Sequence, residues 1–184
     1  MLNFLIEIDT AILLLINKTL SNPLFDYIMP KFDNPSNWIP FILLIWIYSI
    51  TKDEENRKKI IILLPITILL CDQLGGLIKD LHLRDRPWFA LGTDIINHLG
   101  KSKGQHLSFP SNHALNISGV SVLFSNIYPS YKYFFWFIAF IIMYSRIYIG
   151  VHYPLDVFCG SILGVLITFT IIKNDINDVR EKNN

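Results

Sequence analysis

Residues 60–78 read IIILLPITILLCDQLGGLI, with Asp72 as the one charged side chain in the run. A helix needs about 20 mostly apolar residues to cross a bilayer core, within a range of roughly 17 to 25, so this stretch predicts a membrane-spanning helix. The windows 131–149 and 155–172 read the same way. Two more, 36–50 and 114–128, are shorter, and Trp38 and Tyr128 are residues of the kind that anchor at a membrane interface. The fold class that follows is all-α: a polytopic membrane helical bundle with about five transmembrane helices.

The chain before these windows is ambiguous. Residues 4–20 are apolar enough to suggest a span but carry Glu7, Asp9, Asn17 and Lys18, and each carboxylate near a bilayer centre costs about 2.5 to 3.5 kcal/mol. A second apolar group, Leu24, Phe25, Tyr27, Ile28 and Met29, lies between Pro23 and Pro30. Two amphipathic interfacial helices at one membrane surface are therefore expected over 1–35, with a sixth span as the alternative.

Composition agrees with a membrane protein. Of 184 residues, 52% are hydrophobic, and the mean hydropathy is +0.40, above the usual globular balance. A net charge of +1 provides no basic stripe to neutralise a run of phosphates, so nucleic acid is not an expected partner. Cys71 and Cys159 lie in apolar runs without the His or Cys spacing of a zinc site, and read as free thiols. The N-terminus lacks a positive region and a small-residue cleavage site, so no removable signal peptide is expected.

A single membrane domain over 1–184 is expected: the interfacial segment 1–35, two spans within 36–78, a loop 79–112, three spans within 113–172 and a tail 173–184. Lys52, Arg57, Lys58 and Lys59 in one short loop, with Lys173, Arg180 and Lys182 in the tail, place those ends in the cytoplasm. Loop 79–112 and the turn 149–154 then share the extracytoplasmic face of a plasma or inner membrane. Gly160 and Gly164, spaced G-x-x-x-G, and Gly75 and Gly76 are suited to close helix packing.

Three polar clusters lie near that face. They are Lys79 with Arg86 and Pro87; Pro110, Ser111, Asn112 and His113; and Ser145 and Arg146 with His152 and Asp156. A cation at the end of an apolar helix is costly unless it snorkels or meets an anion. Lys79, Arg86 and Arg146 together suit a phosphate cage, since arginine forks bind phosphate oxygens bidentately and lysine adds a point charge. Ser111 stands where an N-cap should be, and the helix end behind it, with Asn112 and His113, offers N–H donors and a positive dipole to an anion.

His152 and Asp156 are four apart, with Pro154 at a first-turn position. The Asp156 carboxylate is then expected to accept a hydrogen bond from one imidazole nitrogen and leave the other free to attack. His113, with no carboxylate at that spacing, is expected to act as the acid that protonates the leaving oxygen and later as the base that activates water. This scheme calls for no metal and no cofactor. Asp72, Asp80, Asp85 and Asp94 lack the ligand spacing of a two-metal site, and Asp72 is expected to face the bundle or support the site from behind.

The sequence resembles the type 2 phosphatidic acid phosphatase superfamily, whose pattern is K-x6-R-P, P-S-G-H and S-R-x5-H-x3-D. Here it reads KDLHLRDRP (79–87), PSNH (110–113) and SRIYIGVHYPLD (145–156), and the resemblance covers about residues 79–172. It implies His152 as nucleophile, Asp156 as its orienting carboxylate, His113 as acid, and Lys79, Arg86, Ser111 and Arg146 as phosphate binders. Asn112 stands in place of the usual glycine, which affects substrate choice while leaving its backbone N–H available.

The expected activity is hydrolysis of a membrane lipid phosphate or diphosphate through a phosphohistidine. Lipid A 1-phosphate, undecaprenyl diphosphate and phosphatidylglycerophosphate are the substrates the resemblance favours on the outer face, ahead of phosphatidate. A vanadate-dependent oxidant and a non-catalytic lipid-binding or transport protein are the alternatives. The first has soluble relatives, and the second would be expected to lack a histidine or cage cation that this chain retains.

Overall fold

A computed structural model describes residues 2–34, 39–101 and 104–182. In chain order they form α1 (Leu2–Leu14), which runs into a π-helical turn (Leu15–Thr19), α2 (Pro23–Ile28) with a 3-10 turn (Met29–Phe32), and α3 (Ile39–Lys52). Next come α4 (Arg57–Lys79), a short α5 (Pro87–Ala90), α6 (Asn112–Ile127), α7 (Lys132–Tyr148) and α8 (Pro154–Lys182). No strand occurs among the described residues; Arg84 and Leu107 form an isolated β-bridge. The protein is all-α, as expected. Ser36 and Trp38, at the start of the first expected span, lie outside the described residues.

Helix α6 is central and packs on α8, α7 and α4. Small residues permit this closeness. A Cβ on Gly160 would stand 2.7 Å from the Ser111 carbonyl oxygen, one on Gly164 would strike the Leu115 carbonyl, and one on Gly119 would stand 3.0 Å from Cys71 Sγ. Away from the motif residues, Leu63, Leu64, Val122, Leu123, Phe124 and Ile172 form one hydrophobic core. Phe158, Ile162, Leu166 and Phe169 instead form an exposed apolar stripe along α8, as a lipid-facing helix would.

Two helical segments, Arg57–Lys79 and Pro154–Asp175, are long and apolar enough to cross a membrane. The expected spans within α3, α6 and α7 have 14, 16 and 17 residues. At about 1.5 Å per residue α3 and α6 are shorter than a core about 30 Å thick, while α7 reaches the low end of the roughly 17 to 25 residues that a crossing uses. Helix α8 continues through the expected tail to Lys182.

The N-terminal segment is helical, with Glu7 and Lys18 exposed but two of its polar residues turned inward. Asp9 and Asn17, which argued against a span, are buried at 2% and 0% exposure. Asn17 donates to the carbonyls of Asn97 and Tyr148 at 2.9 and 2.6 Å and accepts from the Asn97 amide at 2.9 Å. Tyr148 in turn donates its hydroxyl proton to Asp26 at 2.6 Å. A buried polar group is tolerated when its partners are met, and here protein groups replace water.

Because α4 and α7 arrive where α6 and α8 begin, Lys79, Asn112, Arg146 and Asp156 share one end of the bundle. At the other end Tyr128 donates to Asp53 at 2.7 Å and ties the α3–α4 loop to the end of α6.

Candidate active site

Loop 80–111 carries Arg84 and Arg86 to the helix ends, where Lys79 closes α4 and Arg146 lies in the last turn of α7. Its two arms pair: the Arg86 amide donates to Gln105 O at 2.7 Å and the Ser108 amide to Arg84 O at 3.1 Å. Between them the chain makes α5 and a left-handed turn at Gly92, and the Phe109-Pro110 peptide is cis. On the other side, Gly150 at φ +73° lets the chain leave α7. The amides of Val151 and His152 both return to the Arg146 carbonyl at 3.3 Å, so His152 stands close to the end of α7.

Lys79 and Arg86 are held by backbone carbonyls, and Arg146 by side chains. Lys79 Nζ donates to Leu107 O at 2.7 Å, and Arg86 donates through Nε to Gly104 O at 2.8 Å and through an Nη to Val151 O at 3.0 Å. Burial lowers the pKa of the Arg86 guanidinium, and Arg146 adds to this, against the opposing pull of Asp33 and Asp156. Arg146, at 1% exposure, donates to Ser145 Oγ at 3.3 Å and to Asp33 Oδ1 at 2.8 Å. Its other Nη is buried with no partner.

Ser111 is the N-cap of α6, with its Oγ accepting from the Ala114 amide at 3.5 Å. Its own amide donates to Asp156 O at 3.1 Å, which joins the starts of α6 and α8. The amides of Asn112 and His113 belong to the first turn, where no intrahelical acceptor exists. His113 lies within electrostatic reach of Asp33, Arg146 and Arg86, and its Nε2 is buried without a partner.

The Asn112 side chain turns away from the cations. Its Nδ2 donates to Asp72 at 3.2 Å, and a Cβ on Gly75 would stand 2.6 Å from its Oδ1. Of the two placements expected for Asp72 the first does not hold, since it is exposed on the flank of α4; it backs the site residue Asn112 instead.

The expected hydrogen bond from His152 to Asp156 is not formed. The His152 Nδ1 to Asp156 Oδ2 distance is 3.8 Å, and Nδ1 is buried without a partner. His152 precedes α8 instead of lying on it, and the carboxylate is committed elsewhere. Asp156 Oδ2 accepts from Ser108 Oγ at 2.6 Å and from the Tyr153 amide at 2.9 Å, as an N3 carboxylate does in a capping box, while Oδ1 accepts from Arg84 at 3.0 Å. Burial pushes the His152 pKa down to about 3, opposed by Asp156, so the imidazole is neutral.

Four residues at this end were not found by sequence reading: Asp9, Asp33, Arg84 and Ser108. Arg84 lies two residues before Arg86 in LRDRP, a second guanidinium in the same cluster. Burial works against its charge, but Asp156 and Asp9 outweigh it and raise its pKa. For Asp33, burial pushes the carboxyl up, but the Lys101 amide and Arg146 hold it below the usual range. Among the described residues, no three of His, Cys, Asp or Glu gather as metal ligands would. Both cysteines are free; Cys71 is buried and Cys159 half-buried.

Comparison with known proteins bears on this arrangement. Residues 59–178 match the model of the PAP2 superfamily. The chain is 31% identical to a lipid A 4'-phosphatase of Bacteroides thetaiotaomicron, over 89% of this chain and 75% of that protein. It is 32% identical to an undecaprenyl-diphosphatase of Sulfolobus acidocaldarius, over 79% of this chain and 66% of that protein. The crystal structure of Aquifex aeolicus LpxE superposes with a TM-score of 0.72 at 27% identity, covering 89% of this chain and 94% of that one. A transmembrane PAP2-type phosphatidylglycerolphosphate phosphatase of Bacillus subtilis shares the fold, with a TM-score of 0.70 at 22% identity, covering 95% of this chain and 88% of that one. The chain therefore belongs to the PAP2 superfamily, as a membrane phosphatase of lipid phosphates.

Proposed function

We propose that this protein removes a phosphate from a membrane lipid head group through a phosphohistidine on His152, with lipid A as the preferred class of substrate. One observation carries the mechanism. His113 Nε2 and an Nη of Arg146, from the start of α6 and the end of α7, are buried polar atoms left without partners, and the two residues lie within electrostatic reach of each other. Such atoms cost about 1 to 3 kcal/mol each when left unmet, and a phosphate beside them would supply acceptors. Two relatives named lipid A 4'-phosphatase, from Bacteroides thetaiotaomicron and Porphyromonas gingivalis, support the substrate class. Undecaprenyl diphosphate and phosphatidylglycerophosphate are the next candidates.

In this reading Nδ1 of neutral His152 faces Asp156, and Nε2 attacks phosphorus. The N–P bond forms as the bond to the lipid oxygen breaks, and His113 gives that oxygen a proton. Lys79, Arg86 and Arg146, with the amides of Asn112 and His113 behind the Ser111 cap, hold the charge on the phosphoryl oxygens. As His152 becomes cationic, its Nδ1–H draws toward Asp156 from 3.8 Å to hydrogen-bond distance. Water, deprotonated by His113, then cleaves the N–P bond and releases inorganic phosphate. In this reading the chain crosses about five times and this end faces the extracytoplasmic side of a plasma or inner membrane, a reading supported by the basic residues of the α3–α4 loop, which favour the cytoplasm.

The test is phosphate release by detergent-purified protein in excess chelator, comparing wild type with His152→Ala on lipid A, undecaprenyl diphosphate, phosphatidylglycerophosphate and phosphatidate. Chelator-resistant release that vanishes in the variant and is fastest on lipid A supports the reading. Release that survives loss of His152, or that chelator abolishes, refutes the mechanism; a different ranking of lipids refutes the substrate.

A further inference from the structure

Arg84 lies between two carboxylates. One Nη stands 2.6 Å from Asp9 Oδ2 and another 3.0 Å from Asp156 Oδ1, and the guanidinium carbon lies 3.7 Å over the Tyr153 ring. Asp9, buried at 2% exposure within α1, uses its other oxygen to accept from the Leu155 amide at 2.8 Å. Together with the Tyr153 amide on Asp156 Oδ2, this satisfies the first turn of α8 with one carboxylate from within the helix and one from α1. His152 is the residue immediately before that turn.

Geometry and charge then act together. The fork fixes the plane of the Asp156 carboxylate, Ser108 holds its other oxygen at 2.6 Å, and the Tyr153 ring limits the tilt of the fork. Asp9, Arg84 and Asp156 sum to one negative charge beside His152. Losing Asp9 would leave the Arg84 cation unbalanced next to the residue that must stabilise a charged histidine, and losing Arg84 would leave two buried carboxylates facing each other. We propose that Asp9 and Arg84 are positioning residues that hold His152 through Asp156, so that α1 is part of the catalytic apparatus. This inference rests on His152 being the nucleophile.

Inhibition of the purified full-length chain by orthovanadate and by inorganic phosphate tests it. Vanadate forms a bond to the attacking nitrogen and so reports where His152 stands, whereas phosphate rests in the cage of cations and amides. Arg84→Gln is expected to raise the vanadate Ki by roughly 10- to 100-fold, the cost of misplacing a reacting group by about an ångström, while the phosphate Ki moves less than about threefold. Asp9→Asn acts in the same direction, and Arg84→Lys, which keeps the charge without the fork, recovers part of the loss. If both Ki values rise in parallel in all three variants, as loosening of the bundle would cause, or neither moves, the proposal is wrong. A wild-type protein that binds vanadate no more tightly than phosphate refutes the nucleophile itself, and with it this inference; that outcome appears before any variant is made.

Discussion

Asp33 accepts a hydrogen bond from Arg146 at 2.8 Å, across 113 residues of sequence. It places a carboxylate against a cation proposed to bind phosphate. A unit charge about 6 Å from an anion acts with about 3 kcal/mol at an effective dielectric near 20, at or above the roughly 1.5 to 3 kcal/mol of a hydrogen bond to a charged group. Asp33→Asn should therefore lower the Ki for inorganic phosphate several-fold, while kcat falls because Arg146 is less well placed. Inhibition and turnover measured on one preparation check this, and a Ki that rises would contradict it.

Asn112 directs its side chain to α4, not to the cations, and Asn112→Gly should preserve the phosphate Ki within about threefold, since the backbone amide remains. The loss of its contact with Gly75 and Asp72 should instead lower the melting temperature. A large change in Ki with unaltered melting would place the side chain in the pocket.

Gly160 sets the distance between α8 and the Ser111 backbone. Its Cβ in Gly160→Ala would stand 2.7 Å from the Ser111 carbonyl oxygen, and backbone cannot yield as a side chain can. Overpacking of this kind costs about 1 to 3 kcal/mol, and displacement of the α6 cap should weaken phosphate inhibition as well. Thermal unfolding and Ki measured together test the pairing; a variant with wild-type values in both would contradict it.

His152 also makes stability depend on pH. Its pKa is about 3 in the folded protein and about 6.5 in an unfolded chain. Above that range both states are neutral and the group contributes nothing. As pH falls through it, the unfolded chain takes up a proton that the folded protein refuses, and stability declines by an amount on the order of a few kcal/mol. His152→Gln should show a flatter fall in melting temperature between about pH 6.5 and 4. Parallel curves would mean that His152 takes up its proton as readily in the folded protein as in the unfolded chain.

Much of this was legible from sequence. Apolar runs marked α4 and α8, and the Ser111 cap and Pro154 at the first position of α8 followed from local chemistry. What escaped was long-range. Asp33 and Asp9 reach their partners across 113 and 146 positions, and nothing local in FDNPSN marks Asp33 as a ligand for an arginine. Asp9 did leave a trace, as a carboxylate in an apolar run, but cost alone indicated a water-facing surface when an arginine and a helix amide were the partners. The His152–Asp156 hydrogen bond was expected from four-residue spacing on one helix, whereas α8 begins only after His152. Asn112 was judged by the pocket behind its backbone, while Gly75 on α4 left room for its side chain on the other side.

The central claim is that His152 carries the phosphate. Rapid quenching at alkaline pH during turnover of a lipid phosphate, followed by peptide mass spectrometry, tests it most directly because the N–P bond survives base and is lost in acid. An acid-labile phosphate is expected on the peptide containing His152, absent from His152→Ala. Phosphate on another residue, or sustained turnover by the variant, would contradict it.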